Sequence, residues 1–554
     1  MTKLPVKKVR QRKSSSKNVS NNYSLIKDVF IGAGFSYISS DNKHITVSEQ
    51  TGEIDHIFMW KNVIILCEET TGRDISHHFP KKVMYHNLIS NNKIDFFKQY
   101  EIQDNSIMQA IADHYEYEDL EVRHLYYSEE KEVPRGTARN GAALEVMTKK
   151  DAKYFESLTK IIGLSAKYEL LKFLKISLAN VGDARLSGKG VASHFLPAFA
   201  LSAKRTNYPD NFILVSLYVD PQTLLSRACV LRRDGWEDPE LSYQRFIDKK
   251  KLEEMRKYLA GDGKVFINNL IVTFPCNVIL KDSNGNILKR ENVEGNNKVE
   301  VELKDEIATI GIIDGQHRIF AYYEGEDDYE KQIKRLRTRQ SLLVTGIIFP
   351  EGYTELERIK FEAGLFLSIN SNQKQVDTSL QQDLGVIIHP EQPLSIARVI
   401  VQKLFKSGSL HNIFQTSPLI SDNQVATGSL APYVVEPIIK VGGDLYNLWN
   451  DSSDKDLNNE DHRNEYIEYC YEGINNFLNM VREVVTSKWK PEKAGGILNA
   501  TTIGGFIHLY GLSLKGDITI NKKTLSVLVS FDFKKYRSSR WAAMSNDIAV
   551  KLSA

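Results

Sequence analysis

The sequence predicts a multidomain α/β protein: an N-terminal α/β module, a central α+β domain and a mainly helical C-terminal region. Three observations predict it. The chain has 554 residues, too many for one hydrophobic core, and a length of this kind suggests about three or four domains. Short apolar runs rich in β-branched residues, Val63–Leu66 and Ile307–Ile313 among them, are set between stretches of helical spacing in the first two-thirds. Beyond Leu384 the pattern becomes helical, most clearly over Leu394–Lys406 and Asn464–Lys488.

The N-terminal module is expected over residues 23–185. Apolar residues at Leu25, Ile26, Val29, Phe30 and Ala33 have helical spacing, closed by Gly34. Strands are expected at His44–Val47 and Gly52–Phe58, and Lys61-Asn62 turns the chain into a further strand, Val63–Thr70. A helix follows from about Asp74 through Lys82 and Leu88, then a strand at Leu120–Tyr127, a loop at Glu132–Asn140 and a long helix over Asp151–Ile176. The aromatic stripes of that helix read as core. Asp55 and Glu68 fall at the ends of adjacent strands. Two such carboxylates could hold Mg²⁺ with water completing its octahedron, or could simply face solvent.

The order helix, strand, hairpin, helix, with these acids, resembles the core of the restriction-endonuclease-like nucleases. There an Asp on one strand and a Glu-x-Lys on the next hold a divalent cation. Asp55 matches the Asp and Glu68 the Glu, but Thr70 stands where the lysine should be. The resemblance therefore implies one of two things. Either Lys81 or Lys82 on the following helix takes over, or the fold is kept without cleavage. The implied catalytic set is Asp55, Glu68 and Lys82, with Asp55 and Glu68 as metal ligands.

The central domain is expected over residues 195–385. Its most informative stretch is Ile307–Phe320, where an apolar strand stops at Asp314-Gly315 and a helix opens at Gln316. A helix starting directly off a buried strand leaves unpaired N–H groups that attract anions. His317 and Arg318 add donors to the same point, so the expected ligand is a phosphate. Gly315 would let backbone approach the ligand, and Asp314 would either cap the helix or ligate Mg²⁺. Upstream, Tyr243-Gln244-Arg245 precedes a helix at Lys249–Tyr258 and a strand at Val265–Val272; downstream lies Phe366–Val376, with Asn370, Asn372, Gln373 and Lys374.

These three segments, in this order over Pro197–Leu384, resemble the DGQHR-domain proteins. That group includes the DndB-type proteins of DNA sulfur-modification loci and is similar to ParB and sulfiredoxin. The resemblance implies a ParB/sulfiredoxin-like domain that binds a nucleoside triphosphate (ATP or CTP) through Gln244, Arg245, Asp314, Gly315, Gln316, His317, Arg318, Asn370 and Gln373. Sulfiredoxin chemistry is not implied, because Gln316 stands where that enzyme has a cysteine. No Walker lysine motif is present.

Composition narrows the partners. The chain is 42% hydrophobic and 26% charged, an ordinary globular balance. Its net charge of +2 carries no global nucleic-acid signature, so DNA contact must come from local patches. One patch is the tail, residues 1–22, where Lys3, Lys7, Lys8, Arg10, Arg12, Lys13 and Lys17 precede any acid. It reads as a disordered basic segment, for phosphate attraction or for solubility alone. A second is Phe533–Arg540, whose lysines and arginines alternate with aromatics and read mainly as a solvated helix face. Cys67, Cys229, Cys276 and Cys470 have no metal-binding spacing and read as reduced thiols of a cytoplasmic protein. No segment approaches the roughly 18 apolar residues of a membrane span, and the N-terminus lacks the apolar run of a secretory signal.

Two function classes follow. In one, the protein is a nucleotide-binding or NTP-hydrolysing DNA-associated factor of a prokaryotic DNA-modification or anti-phage locus. It would contact DNA through its N-terminal module and work with proteins of the same locus. In the other it is a nucleotide-gated, Mg²⁺-dependent DNA endonuclease. A lysine reaching the Asp55–Glu68 pair would favour the second. The C-terminal region, residues 386–554, adds no motif of its own, and self-association stays open.

Overall fold

The structure, a computed structural model, describes residues 24–40, 42–70, 75, 78–111, 114–129, 144–187, 193–230, 247–371, 378–411, 413, 428–449, 455–516, 518–536 and 540–553. The basic tail, the expected loop at Glu132–Asn140 and residues Gln244, Arg245, Asn372, Gln373 and Lys374 lie outside them.

The N-terminal part is a sheet with helices on both faces. Strands β1 (Ser36–Ile38), β4 (His56–Trp60), β5 (Val63–Thr70), β6 (Glu121–Ser128) and β7 (Leu144–Thr148) lie side by side in that order. A small separate hairpin, β2 (Ile45–Val47) and β3 (Gln50–Gly52), precedes β4. β1–β4 and β4–β5 are antiparallel, while β5–β6 and β6–β7 are parallel. The parallel step needs a crossover, which the helices His78–Asn91 and Lys93–Gln103 supply. Alternate residues of a strand face opposite sides. Phe58, Val63, Ile65 and Cys67 accordingly face the Leu25–Gly32 and Lys149–Ile162 helices, with Phe30 stacked on Phe58 at 4.4 Å. Ile57, Met59, Ile64 and Leu66 face the crossover helices. Burial on both faces explains why Val63–Leu66 of β5 reads as a continuous apolar run.

The β4–β5 turn is held by Asn62, fully buried, whose amide donates to Asp119 O (2.7 Å) and Asn180 O (2.8 Å) and accepts from Gly182 N (2.8 Å). The strand expected to begin at Gly52 starts later, at His56, because Gly52 closes the small hairpin instead. The single helix expected over Asp151–Ile176 is broken at Gly163 into Lys149–Ile162 and Lys167–Phe173. Gly163 adopts φ 52°, and a Cβ there would lie 2.7 Å from Glu324 O. Apolar spacing continues through this break, so the pattern alone did not reveal it.

The central part is built on an eight-stranded mixed sheet, in the order β10 (Ala228–Cys229), β14 (Ile310–Asp314), β11 (Leu270–Phe274), β15 (Leu342–Ile348), β9 (Ile213–Val219), β8 (Ser193–Ser202), β13 (Asn296–Lys304), β12 (Ile279–Lys281). β11 overlaps the span expected for it but begins later, at Leu270 rather than Val265, after the helix Lys249–Asp262 ends on left-handed Gly263. β14 likewise begins at Ile310, since Ala308 takes φ 52°. One hydrophobic cluster runs from Ile26 to Ile348 across both parts, so the boundary expected near residues 185–195 does not divide the core. Glu324 seals the junction. It accepts from Leu164 N (2.8 Å) through its carbonyl, donates to Ser165 Oγ (2.8 Å) and pairs with Lys167 through its carboxylate.

The C-terminal part has its own core, built from the helices Pro393–Lys406, Glu460–Val484, Ala500–Leu514 and Trp541–Ser553. In the aromatic-basic segment, Phe533 and Tyr536 belong to that core. Lys535 lies 3.9 Å from Asp547. Among the described residues no helix is long and apolar enough to cross a membrane.

Gly163→Ala tests the N-terminal–central junction. Forcing a side chain into that backbone conformation should cost about 1–3 kcal/mol, read as a lower urea midpoint. An unchanged midpoint would show that the junction relaxes freely.

Candidate functional site

The antiparallel register that pairs His56 with Cys67 continues to set Asp55 across from Glu68. The alternation of β5 then separates two adjacent acids. Glu69 turns to the Leu25–Gly32 side, where His56 Nε2 (2.6 Å) and Ser24 Oγ (2.8 Å) hold its carboxylate. Glu68 turns to the crossover side and is fully buried. Glu68 therefore does not face solvent, whereas Asp55 is half-buried. The Glu69 N–H donates to Asp55 Oδ2 at 2.8 Å, which fixes the Asp55 carboxylate beside Glu68.

The helix His78–Asn91 completes the site. Positions four apart share a helix face, so Lys82, His86 and Ser90 form one polar stripe toward the sheet. The Lys82 ammonium forms an ion pair with Glu68 Oε2 and donates to Glu53 O at 2.9 Å. Lys81 is exposed. His86 Nε2 lies 2.8 Å from Glu68 Oε1, His86 Nδ1 lies 2.7 Å from His124 Nδ1, and His124 Nε2 lies 2.8 Å from Ser90 Oγ. Sequence reasoning missed His86, Ser90 and His124. The stripe Lys82–His86–Ser90 was a readable signal, whereas His124, on β6 and distant in sequence from that helix, was not.

Burial raises the Asp55 pKa above the usual carboxylate range, and the charge of Glu68 raises it further. Burial raises Glu68 too, against the pull of Lys82. His86 is pushed down to about 3 by burial and by Lys82, and His124 is driven well below its usual value by burial and by His86. Both imidazoles are neutral at physiological pH.

The residues present fit a hard divalent cation. Two carboxylates on adjacent strands repel one another in a desolvated place, and Glu68 Oε2 meets no donor beyond the Lys82 ammonium among the described residues. No group of three or more His, Cys, Asp or Glu placed to hold a metal occurs among the described residues. Mg²⁺, which keeps several waters and needs only one or two carboxylates, suits such a pair.

The second expected site is differently disposed. The helix Gln316–Phe320 opens where expected, on Gly315 at φ 101°. An added Cβ at Gly315 would lie 2.4 Å from Leu270 Cδ2, so the glycine is required by packing as well as by its dihedral. Asp314 does not cap the helix. Its carboxylate pairs with Arg318 Nη2 at 2.9 Å, and the same nitrogen donates to Asn269 O at 2.8 Å. His317 Nε2 accepts from Asp248 N at 3.1 Å and so faces the start of the Lys249–Asp262 helix as an acceptor. Asn370 is inside the helix Glu355–Ser371 and donates to Phe366 O at 2.9 Å. Arg318 Nε is buried and meets no acceptor among the described residues.

Comparison with protein-family models, with curated proteins and with solved structures finds no match for this chain.

A raised carboxyl pKa costs stability once the group must ionise, so the Asp55 penalty is absent below its unfolded pKa, about 4, and grows as pH rises through its folded value. Asp55→Asn, which keeps the acceptor for Glu69 N–H, should therefore melt higher than wild type at neutral pH in EDTA. The gap should close in acid. A variant no more stable at neutral pH would contradict the raised pKa.

Proposed function

We propose that the N-terminal part is a Mg²⁺-dependent DNA endonuclease site of the restriction-endonuclease-like class. The observation that carries this reading is the Lys82 ammonium against Glu68. The lysine missing at Thr70 is supplied from the next helix, one turn before the His86 that braces the same carboxylate. The strand order supports it as well, with an antiparallel β1–β4–β5 set followed by a parallel step to β6. Asp55 and Glu68 would hold the ion. Bound there, Mg²⁺ would neutralise phosphate charge and lower the pKa of its water. Lys82 would orient the attacking water and stabilise charge developing on the phosphodiester, while the surrounding apolar side chains limit bulk water.

The test is scission of plasmid DNA with Mg²⁺, with and without each nucleoside triphosphate. Asp55→Ala and Glu68→Ala should abolish cutting, Lys82→Ala should slow it by about 10²–10³-fold, and Lys81→Ala should leave it unchanged. No scission by wild type under any of these conditions would overturn the proposal.

A second reading, nucleotide binding at Asp314–Arg318, is favoured by one observation: the buried Arg318 Nε has an N–H to offer a phosphate oxygen. It requires Arg318 to exchange Asp314 for the phosphate. Arg318→Ala should then weaken triphosphate binding by about 2–4 kcal/mol, measured by calorimetry. Equal affinity in wild type and variant would leave Arg318 as a brace between β14 and β11.

A further inference from the structure

Resting on that metal-site reading, we propose that His86, His124 and Ser90 are positioning residues that aim Glu68 at a divalent cation. They form one chain of contacts from the surface to the buried carboxylate: Ser90 Oγ to His124 Nε2 (2.8 Å), His124 Nδ1 to His86 Nδ1 (2.7 Å), His86 Nε2 to Glu68 Oε1 (2.8 Å). Ser90 is exposed, whereas His86 and Glu68 are fully buried and His124 nearly so.

Hydrogen-bond valence gives the chain a single direction when Glu68 is ionised. A carboxylate only accepts, so His86 must carry its proton on Nε2. A neutral imidazole then has Nδ1 free only to accept, so His124 must carry its proton on Nδ1. His124 Nε2 becomes an acceptor in turn, and the Ser90 hydroxyl donates to it. Each link thus determines the tautomer of the next. The consequence is geometric: Oε1 is held by His86, and Oε2 is left on the Lys82 side for the cation. Without the chain, the Glu68 carboxylate could rotate about its last torsion and turn either oxygen to Lys82, so the pair with Asp55 would no longer be preset. Second partners of this kind typically change metal affinity by about 10–100-fold when lost.

The probe is Mn²⁺ alone, titrated into the full chain without DNA, with thermal melting as the check on folding. His86→Leu should weaken Mn²⁺ binding by about 10–100-fold. His86→Gln, which keeps a donor near the Nε2 position, should recover most of it. ¹⁵N-histidine spectra, assigned through the His86 and His124 variants, should show His86 protonated on Nε2 and His124 on Nδ1, and Ser90→Ala should disturb the His124 signal. Should His86→Leu fail to fold, His86→Asn against His86→Gln decides, since only glutamine reaches as far as Nε2. Near-wild-type Mn²⁺ affinity for His86→Gln, with weakened binding for His86→Asn or His86→Leu, supports the inference. Tight binding by all variants, or the opposite His86 tautomer, overturns it while leaving the metal site intact. No Mn²⁺ binding by wild type overturns the metal site itself, and this inference with it.

Discussion

A carboxylate taken fully out of water must be compensated where it lies, and the N-terminal half of this protein is arranged around that demand at Glu68. Its two oxygens are met by different partners from one helix, Lys82 on Oε2 and His86 on Oε1. Those partners are usable only if the helix His78–Asn91 lies on the crossover face of the sheet with its polar stripe inward. Ile57, Met59, Ile64 and Leu66 beneath that face, with Tyr85 and Ile89 of the helix, provide the apolar contact that holds it there. The position of the helix in turn requires the parallel β5–β6 step, because a crossover connection must leave one strand and return beside it. Charge compensation, helix placement and sheet topology are one constraint seen at three scales.

The central sheet uses buried arginines for a different purpose. Arg256 is completely buried, grips Asp327 at 2.8 Å through both Nε and Nη2, and donates to the carbonyls of Ala321 (3.1 Å) and Tyr323 (2.9 Å). Arg337 donates to Tyr322 O (2.7 Å) and Tyr323 O (2.8 Å) and meets Glu330 from the other side. The turn that follows Gln316–Phe320 is thus secured through its main-chain carbonyls. The same turn delivers Glu324 to Ser165 and Lys167. A change of conformation at Asp314–Arg318 has a short covalent path to the N-terminal part.

Much of the secondary structure was legible. Val63–Thr70 is the strand expected, residue for residue, because a run buried on both faces stands out from its polar flanks. The helix opening at Gln316 was legible because only glycine takes φ 101° without strain. Periodicity was least useful where tertiary contact interrupts a helix, as at Gly163. Its apolar positions continue across the break while the backbone turns to meet Glu324. The hydrophobic cluster shared by the N-terminal and central parts is invisible in the pattern for a related reason. Composition marks where a linker could be, but shared burial is decided by which faces meet.

The sequence by itself determined the strand Val63–Thr70, the Gly315 turn and the candidate acids Asp55 and Glu68, because each depends on residues within a few positions of one another. It also supplied two lysines that could replace the one missing at Thr70. Only the tertiary structure brought one of them to the acid. Lys82 reaches Glu68, while its neighbour Lys81 is exposed, since one step along a helix turns a side chain by about 100°. The structure alone brought His124 to His86 and turned Arg318 onto Asp314. Those contacts join residues whose relation is set by strand register and helix docking, and no local pattern encodes either.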